Sequence, residues 1–81
     1  MENKLKMLEE LKNESLEDCY YYLCKAIPNK NAKRFKQWNY LESVAYEELL
    51  NEEENPNECT KIINLIVDYL KEDCITRRAR K

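Results

Sequence analysis

Residues 55–70, Asn-Pro-Asn-Glu-Cys-Thr-Lys-Ile-Ile-Asn-Leu-Ile-Val-Asp-Tyr-Leu, decide the fold of this chain. Asn55 can cap a helix, Pro56 suits the first helical turn, and Glu58 has the charge that a helix N-terminus favours. From Cys59 onward, apolar side chains cover most of the helix circumference and leave only a thin polar face. Since such a helix must be surrounded by other elements, we predict a central helix here.

The rest of the chain is also rich in helix formers. The 81 residues include no glycine and only two prolines, Pro28 and Pro56, whereas tight β-hairpins usually need glycine. Apolar spacing predicts helices over about residues 2–12, 16–27, 32–37 and 39–50, and a last turn after a joint at residues 71–73. We therefore expect residues 1–81 to form one all-α domain, a compact bundle of five to six short antiparallel helices.

Several side chains have predicted positions. We expect Leu49 and Leu50 to face inward and Trp38 to belong to the core. Residues 20–22 are three consecutive tyrosines. Because three helical positions span about 200°, at least one of these rings should lie near the surface.

Charge is sorted along the chain, although the formal net charge is only -2. Every charged residue within residues 25–36 is basic, and every one within residues 37–59 is acidic. Opposite patches on a small domain can attract another copy or a relative with similar patches. The candidate interface residues are the acidic Glu9, Glu10, Glu14, Glu47 and Glu48 and the basic Lys25, Lys30, Lys33 and Arg34.

The composition argues against other classes of function. The sequence has no histidine, no glycine-rich phosphate loop and no clustered metal ligands, so we expect no enzyme, cofactor, metal or small-molecule substrate. Its four cysteines, Cys19, Cys24, Cys59 and Cys74, form no Cys-x-x-Cys pair and suggest reduced, buried thiols. With no apolar run near the ~20 residues of a membrane span and no signal-peptide core, we expect a soluble cytoplasmic protein.

Residues 8–23 resemble the opening of a pyrin domain. That family begins with a leucine-rich helix and a short acidic break, followed by Leu, Phe, Phe and Leu at positions that correspond here to Leu16, Cys19, Tyr21 and Leu23. Residues 23–28, Leu-Cys-Lys-Ala-Ile-Pro, are similar to a segment of death-effector domains. Cys19 departs from the pattern, since an aromatic residue or leucine is usual there.

The resemblance implies a member of the death-fold superfamily, a six-helix antiparallel bundle without a catalytic site. Such domains bind copies of themselves or related death-fold domains. An acidic surface on the first and fourth helices meets a basic surface on the second and third of the next copy, so a filament can grow. The implied role is in innate-immune (inflammasome) or cell-death (apoptosis) signalling, or in its viral inhibition.

Two alternatives remain open. A small helical inhibitor or immunity protein from a phage or mobile element would use its acidic surface to bind one target protein. A nucleic-acid-binding domain would use the bases and aromatics of residues 33–38 and the basic tail 77–81. The acidic block would repel phosphate, so we expect no nucleic-acid partner.

Overall fold

A computed structural model of the chain describes residues 2–28, 33–53 and 55–79, with only the backbone described for residue 2 and residues 76–79. The regular structure of these residues is helical throughout. The α-helices are α1 (Glu2–Glu10), α2 (Leu16–Lys25), α3 (Lys33–Leu50) and α4 (Pro56–Ala79), and a short 3-10 helix, Leu11–Asn13, follows α1. The predicted all-α bundle is confirmed. The described helices include none that is long and apolar enough to cross a membrane.

Two helices begin where local chemistry predicts. The Ser15 hydroxyl oxygen accepts a 3.2 Å hydrogen bond from the Asp18 N–H and so caps α2. The side-chain oxygen of Asn55 accepts hydrogen bonds from two backbone N–H groups at the start of α4, whose first residue is Pro56. Both caps pair N–H groups that have no partner within the helix.

Two predicted breaks between helices are wrong. α3 continues through residues 37–39 and α4 continues through residues 71–73. Neither segment contains proline or glycine, and a helix that continues gains one hydrogen bond per added residue. Four α-helices therefore replace the five to six predicted ones within the described part of the chain.

The prediction of a central α4 is confirmed. α4 packs against α1, α2, α3 and the 3-10 helix. Its buried side chains, Ile62, Ile63, Ile66, Val67, Tyr69 and Leu70, lie on more than one side of the helix, as the apolar circumference predicts. The core consists of Leu8, Leu11, Leu16, Cys19, Leu23, Trp38, Leu41, Ala45, Ile62, Ile63, Ile66, Val67, Tyr69 and Leu70.

Consecutive helices run antiparallel. The Trp38 indole N–H donates a 2.8 Å hydrogen bond to the Leu23 carbonyl oxygen, and the Tyr20 hydroxyl donates one of 2.8 Å to Glu42. The later residue of α3, Glu42, thus contacts the earlier residue of α2, Tyr20, which shows that the two helices are antiparallel. The N-terminal part of α3 contacts the C-terminal half of α4, and its last turns share a depression with the first turns of α4. The start of α2, the end of α3 and the start of α4 therefore meet at one end of the bundle.

The exposure of the apolar side chains differs from the prediction in one place. Trp38 is buried, as predicted, and Tyr21 and Tyr22 lie at the surface. Leu49 and Leu50, predicted to face inward, are 36% and 65% exposed. Leu50 lies five positions, or about 140° around the helix, from the fully buried Ala45, which turns it away from the core.

Candidate protein interface

Arg34 is engaged within the fold. Its guanidinium donates a 3.1 Å hydrogen bond to the Tyr69 carbonyl oxygen and lies 4.5 Å from the centre of the Tyr69 ring. It also forms ion pairs with Glu72 at 3.2 Å and with Asp73 at 3.7 Å. With its side chain only 18% exposed, Arg34 joins α3 to α4 and is not a surface charge open to a partner.

Two of the other basic candidates, Lys25 and Lys33, lie at the surface. Lys25 is exposed at the end of α2, with its ammonium 4.4 Å from the centre of the Tyr21 ring, and Lys33 is exposed at the start of α3. Lys30 lies outside the described residues. The structure adds Lys36, one turn after Lys33, and Lys4 of α1, which lines a cavity together with Lys25.

We call Lys4, Lys25, Lys33 and Lys36 the basic end. The acidic groups nearby are already paired, since Asp73, which lines the same cavity, meets Arg34, and Glu9 meets Lys71. Among the described residues, the bases in ion pairs of 4.0 Å or less are Lys12, Arg34 and Lys71, and no lysine of the basic end is one of them.

The acidic candidates on α1 stand apart from those on α3. The Glu9 carboxylate lies 2.6 Å from the Lys71 ammonium and 3.0 Å from that of Lys12. The hydrogen bond from Lys71 is the main reason that the pKa of Glu9 lies below its usual value, and the same bond raises the pKa of Lys71. Glu10 is exposed beside Glu9 on α1. The structure therefore does not bring Glu9 together with Glu47.

Glu47 and Glu48 belong to a larger acidic surface. One shallow depression between α3 and α4 is lined by Glu47, Glu48 and Glu58, and a second, between α2, α3 and α4, by Glu17, Glu48 and Glu52. Neither depression has a lysine or arginine among its described lining residues. These five glutamates, Glu17, Glu47, Glu48, Glu52 and Glu58, form the acidic end.

Glu48 is the glutamate that lines both depressions, together with Asn51. Its Oε1 atom is buried, and no described group donates a hydrogen bond to it. A buried carboxylate oxygen without a donor is costly, so Glu48 adds to the unfavourable concentration of acidic groups at this end. Glu14, the remaining acidic candidate, is exposed immediately before Ser15, which lines the second depression.

The two charged ends lie far apart. Along α4, Glu58 at the acidic end is separated from Cys74, which lines the cavity at the basic end, by sixteen residues, or about 24 Å of helix. One side chain of a partner protein therefore cannot contact both ends at once. A second molecule in the same orientation can present its basic end to the acidic end of the first.

The order of charges on α3 produces this polarity. α3 has no acidic residue in its first turn and no basic residue in its last turn. It begins with Lys33 and Lys36 and ends with Glu47 and Glu48, which is the reverse of what the helix dipole favours. α2 and α4 follow the dipole and carry acidic first turns. Because α3 runs antiparallel to α2 and α4, its acidic last turn lies at the same end of the bundle as their acidic first turns. Charges on α3 that suited the helix dipole would instead have placed basic residues at that end.

Sequence reasoning missed Glu17, Glu52, Glu58, Lys4 and Lys36 as members of the two ends. Glu52, Glu58 and Lys36 lie within the sorted charge blocks, which is a signal that could have included them. Glu17 and Lys4 join only through the packing of α1 and α2, because they lie outside both blocks.

The described residues offer little for chemistry. No group of three or more acidic or cysteine side chains among them could hold a metal ion. The four cysteines form no disulfide, and Cys19 is the buried one. Burial raises the pKa of the Cys19 thiol to about 11, with smaller contributions from Asp18 and Glu14. A thiol so protonated at neutral pH is a poor nucleophile.

Comparison with protein-family models, with curated proteins and with solved structures finds no match for this chain. The two charged ends are therefore the features from which a function can be inferred.

Proposed function

We propose that this chain is a non-enzymatic protein–protein interaction module in which the acidic end of one copy binds the basic end of the next. The reversed order of charges on α3 carries this proposal. Each unfavourable charge near a helix terminus costs about 0.3–1 kcal/mol. Helix stability therefore does not account for the placement of Lys33, Lys36, Glu47 and Glu48, whereas attraction between molecules does.

The geometry favours assembly in a line. The two ends are different surfaces at opposite ends of the bundle, so their contact is heterologous and does not close on itself as a two-fold dimer does. Opposite charges steer the encounter of such ends and fix their orientation. Lysine ammonium groups of the neighbouring copy would pair with the exposed carboxylates of Glu47, Glu52 and Glu58.

The proposal includes the likeness to the death fold, with a cytoplasmic role in innate-immune or cell-death signalling or in its viral inhibition. The all-helical bundle and the Ser15-capped second helix support it. The family pattern has six helices, and the described residues form four α-helices and a 3-10 helix. The partner surfaces also differ in detail from those that the family implies, since the acidic end draws on α2, α3 and α4 rather than α1.

The test is self-association as a function of salt, measured by sedimentation velocity. We expect oligomers at about 20 mM salt that dissociate at about 500 mM, because screening weakens contacts between exposed charges. The Lys33→Glu, Lys36→Glu variant cancels the formal charge of the basic end, where two lysines and two glutamates then stand. The Glu47→Lys, Glu52→Lys variant leaves three glutamates and two lysines at the acidic end. Arg34 is left intact because its replacement would disrupt the fold.

Each variant alone should associate far more weakly than the wild type, since one of its two ends has lost most of the charge that attracts the other. An equimolar mixture should form a one-to-one complex that does not grow further, because the intact acidic end of the first variant binds the intact basic end of the second. Wild-type protein that remains monomeric at low salt and about 1 mM concentration would rule the proposal out.

A small inhibitor that binds one target protein is the second candidate. The acidic end favours it, because five glutamates surround two depressions without a described basic residue. This function predicts a monomer at low salt and a tight complex with one basic protein, which affinity capture with the Glu47→Lys, Glu52→Lys variant as control would identify.

Nucleic-acid binding has less support. Of the bases and aromatics in residues 33–38, Trp38 is buried, Phe35 is half-buried against it and Arg34 is engaged with α4. These groups cannot stack on bases without disturbing the core. We expect no mobility shift with single-stranded oligonucleotides at about 50 mM salt.

A further inference from the structure

The acidic end carries an exposed apolar side chain. Leu50 is the most exposed large apolar side chain of the described residues, at 65%, and it lines the first acidic depression beside Glu47. Glu52 and Glu53, separated from it by Asn51, are exposed. The tip of α3 is thus a leucine surrounded by carboxylates, which we call the Leu50 knob.

The basic end carries an apolar cavity of about 270 Å³. Within the described chain, α1 packs closely on α4 and the 3-10 helix but not on α2, which leaves a gap between α1 and the end of α2. Its lining includes the apolar Met7, Leu8, Ala26 and Leu70 and the basic Lys4 and Lys25, and also the acidic Asp73, whose carboxylate is paired with Arg34. The volume lies just below the range of small-molecule pockets, about 300–1,000 Å³, and suits one or two aliphatic side chains.

We propose that the Leu50 knob of one copy inserts into this cavity of the next copy. The proposal rests on the proposed end-to-end association and adds its apolar anchor. Knob and cavity are complementary in charge, since the glutamates beside Leu50 would meet Lys4 and Lys25. They also lie at opposite ends of the bundle, so each inserted knob leaves a further knob and a further cavity for the next copy.

A leucine seated in a pocket of this kind would act as a central anchor ringed by charge pairs, an arrangement in which few residues carry most of the affinity. We expect Leu50→Ser to weaken self-association about ten- to hundredfold. Leu65→Ser is the matched control, because Leu65 is an exposed leucine in the middle of α4, away from both ends, at 41% exposure. Filling the cavity with Ala26→Met should weaken association as Leu50→Ser does.

Cys74 provides a direct test of contact, because it lines the cavity. In a Cys24→Ser, Cys59→Ser background, Leu50→Cys should form disulfides with Cys74 of the next copy under mild oxidation. The expected product is a ladder of oligomers on a non-reducing gel. Replacing Cys74 with serine should remove the ladder, and Tyr40→Cys, placed at an exposed position elsewhere on α3, should give none.

The outcomes separate this proposal from the one on which it rests. If the charge variants of the two ends weaken association but Leu50→Ser and Ala26→Met do not, end-to-end binding stands and insertion of the knob is overturned. A ladder that survives Cys74→Ser also overturns insertion of the knob. So does octanoate that fills the cavity, as shown by protection of Cys74 from alkylation, without weakening association. Protein that never associates overturns both proposals.

Discussion

The indole N–H of Trp38 donates a 2.8 Å hydrogen bond to the main-chain carbonyl oxygen of Leu23. Leu23 lies in the last turn of α2, where carbonyl groups lack a full set of helical partners, and its oxygen also accepts a 3.0 Å bond from the Ala26 N–H. The Trp38 ring stacks on Phe35, with 5.9 Å between ring centres. One side chain therefore closes the end of α2 and sets the register of α3 against it.

Trp38→Phe should destabilise the protein by about 1–2 kcal/mol, from one lost hydrogen bond and a smaller ring in the core. The loss stays moderate because the Leu23 carbonyl keeps its bond from Ala26. Urea unfolding followed by circular dichroism measures it. Tyr40→Phe, at an exposed position of the same helix, should change stability by less than about 0.5 kcal/mol. Equal effects of the two variants would contradict this account of Trp38.

Arg34→Lys should destabilise the protein by about 1–3 kcal/mol although the charge is kept. The guanidinium makes a hydrogen bond to Tyr69, a stack on its ring and two ion pairs at once, and an ammonium cannot reproduce that planar set. Thermal unfolding at two salt concentrations measures the change, and Lys33→Arg at the neighbouring exposed position serves as control. An Arg34→Lys variant as stable as the control would show that the network contributes nothing.

The sequence was sufficient for features that depend on local chemistry. The Ser15 and Asn55 caps and the apolar circumference of α4 each follow from a few neighbouring residues. The continuity of α3 and α4 was missed because polar stretches without proline or glycine are compatible with either a helix or a joint.

The candidate site depends on packing and was harder to predict. The paired roles of Arg34 and Glu9 come from contacts with α4, 35 and 62 residues away in sequence. The exposure of Leu50 depends on which side of α3 its last turn presents to the core. The sequence places the end of a helix only to within a few residues, so it does not determine this. The order of charges along the chain, by contrast, was visible in the sequence. Antiparallel packing of α2, α3 and α4 places the acidic residues at one end of the bundle and the basic residues at the other.

Cys19 should make the protein less stable at alkaline pH. Its pKa is about 11 in the fold against an ordinary value of 9.0, mainly because it is buried. The folded state therefore favours the protonated thiol, so this contribution is fully present below pH 9 and is lost as the pH rises toward 11. The loss should reach about 2–3 kcal/mol.

The measurement is urea unfolding between pH 7 and pH 11 for the wild type and for Cys19→Ala. Tyrosine and lysine titrations are common to both proteins, so the difference between them isolates the thiol. The gap in stability should narrow as the pH rises. A constant gap from pH 7 to pH 11 would mean that the thiol ionises equally well in the folded chain.

Reversal of the charges at the start of α3 should strengthen the monomer while it weakens association. Lys33→Glu and Lys36→Glu place acids where the helix dipole favours them, worth about 0.3–1 kcal/mol each, and should raise the Tm by several degrees in dilute, low-salt solution. The matched Lys33→Gln, Lys36→Gln variant removes the charges without reversing them and should lie between the wild type and the reversed variant in both stability and association. A reversed variant that is less stable than the wild type would mean that the lysines support the fold itself, and the charge order of α3 would then no longer argue for binding.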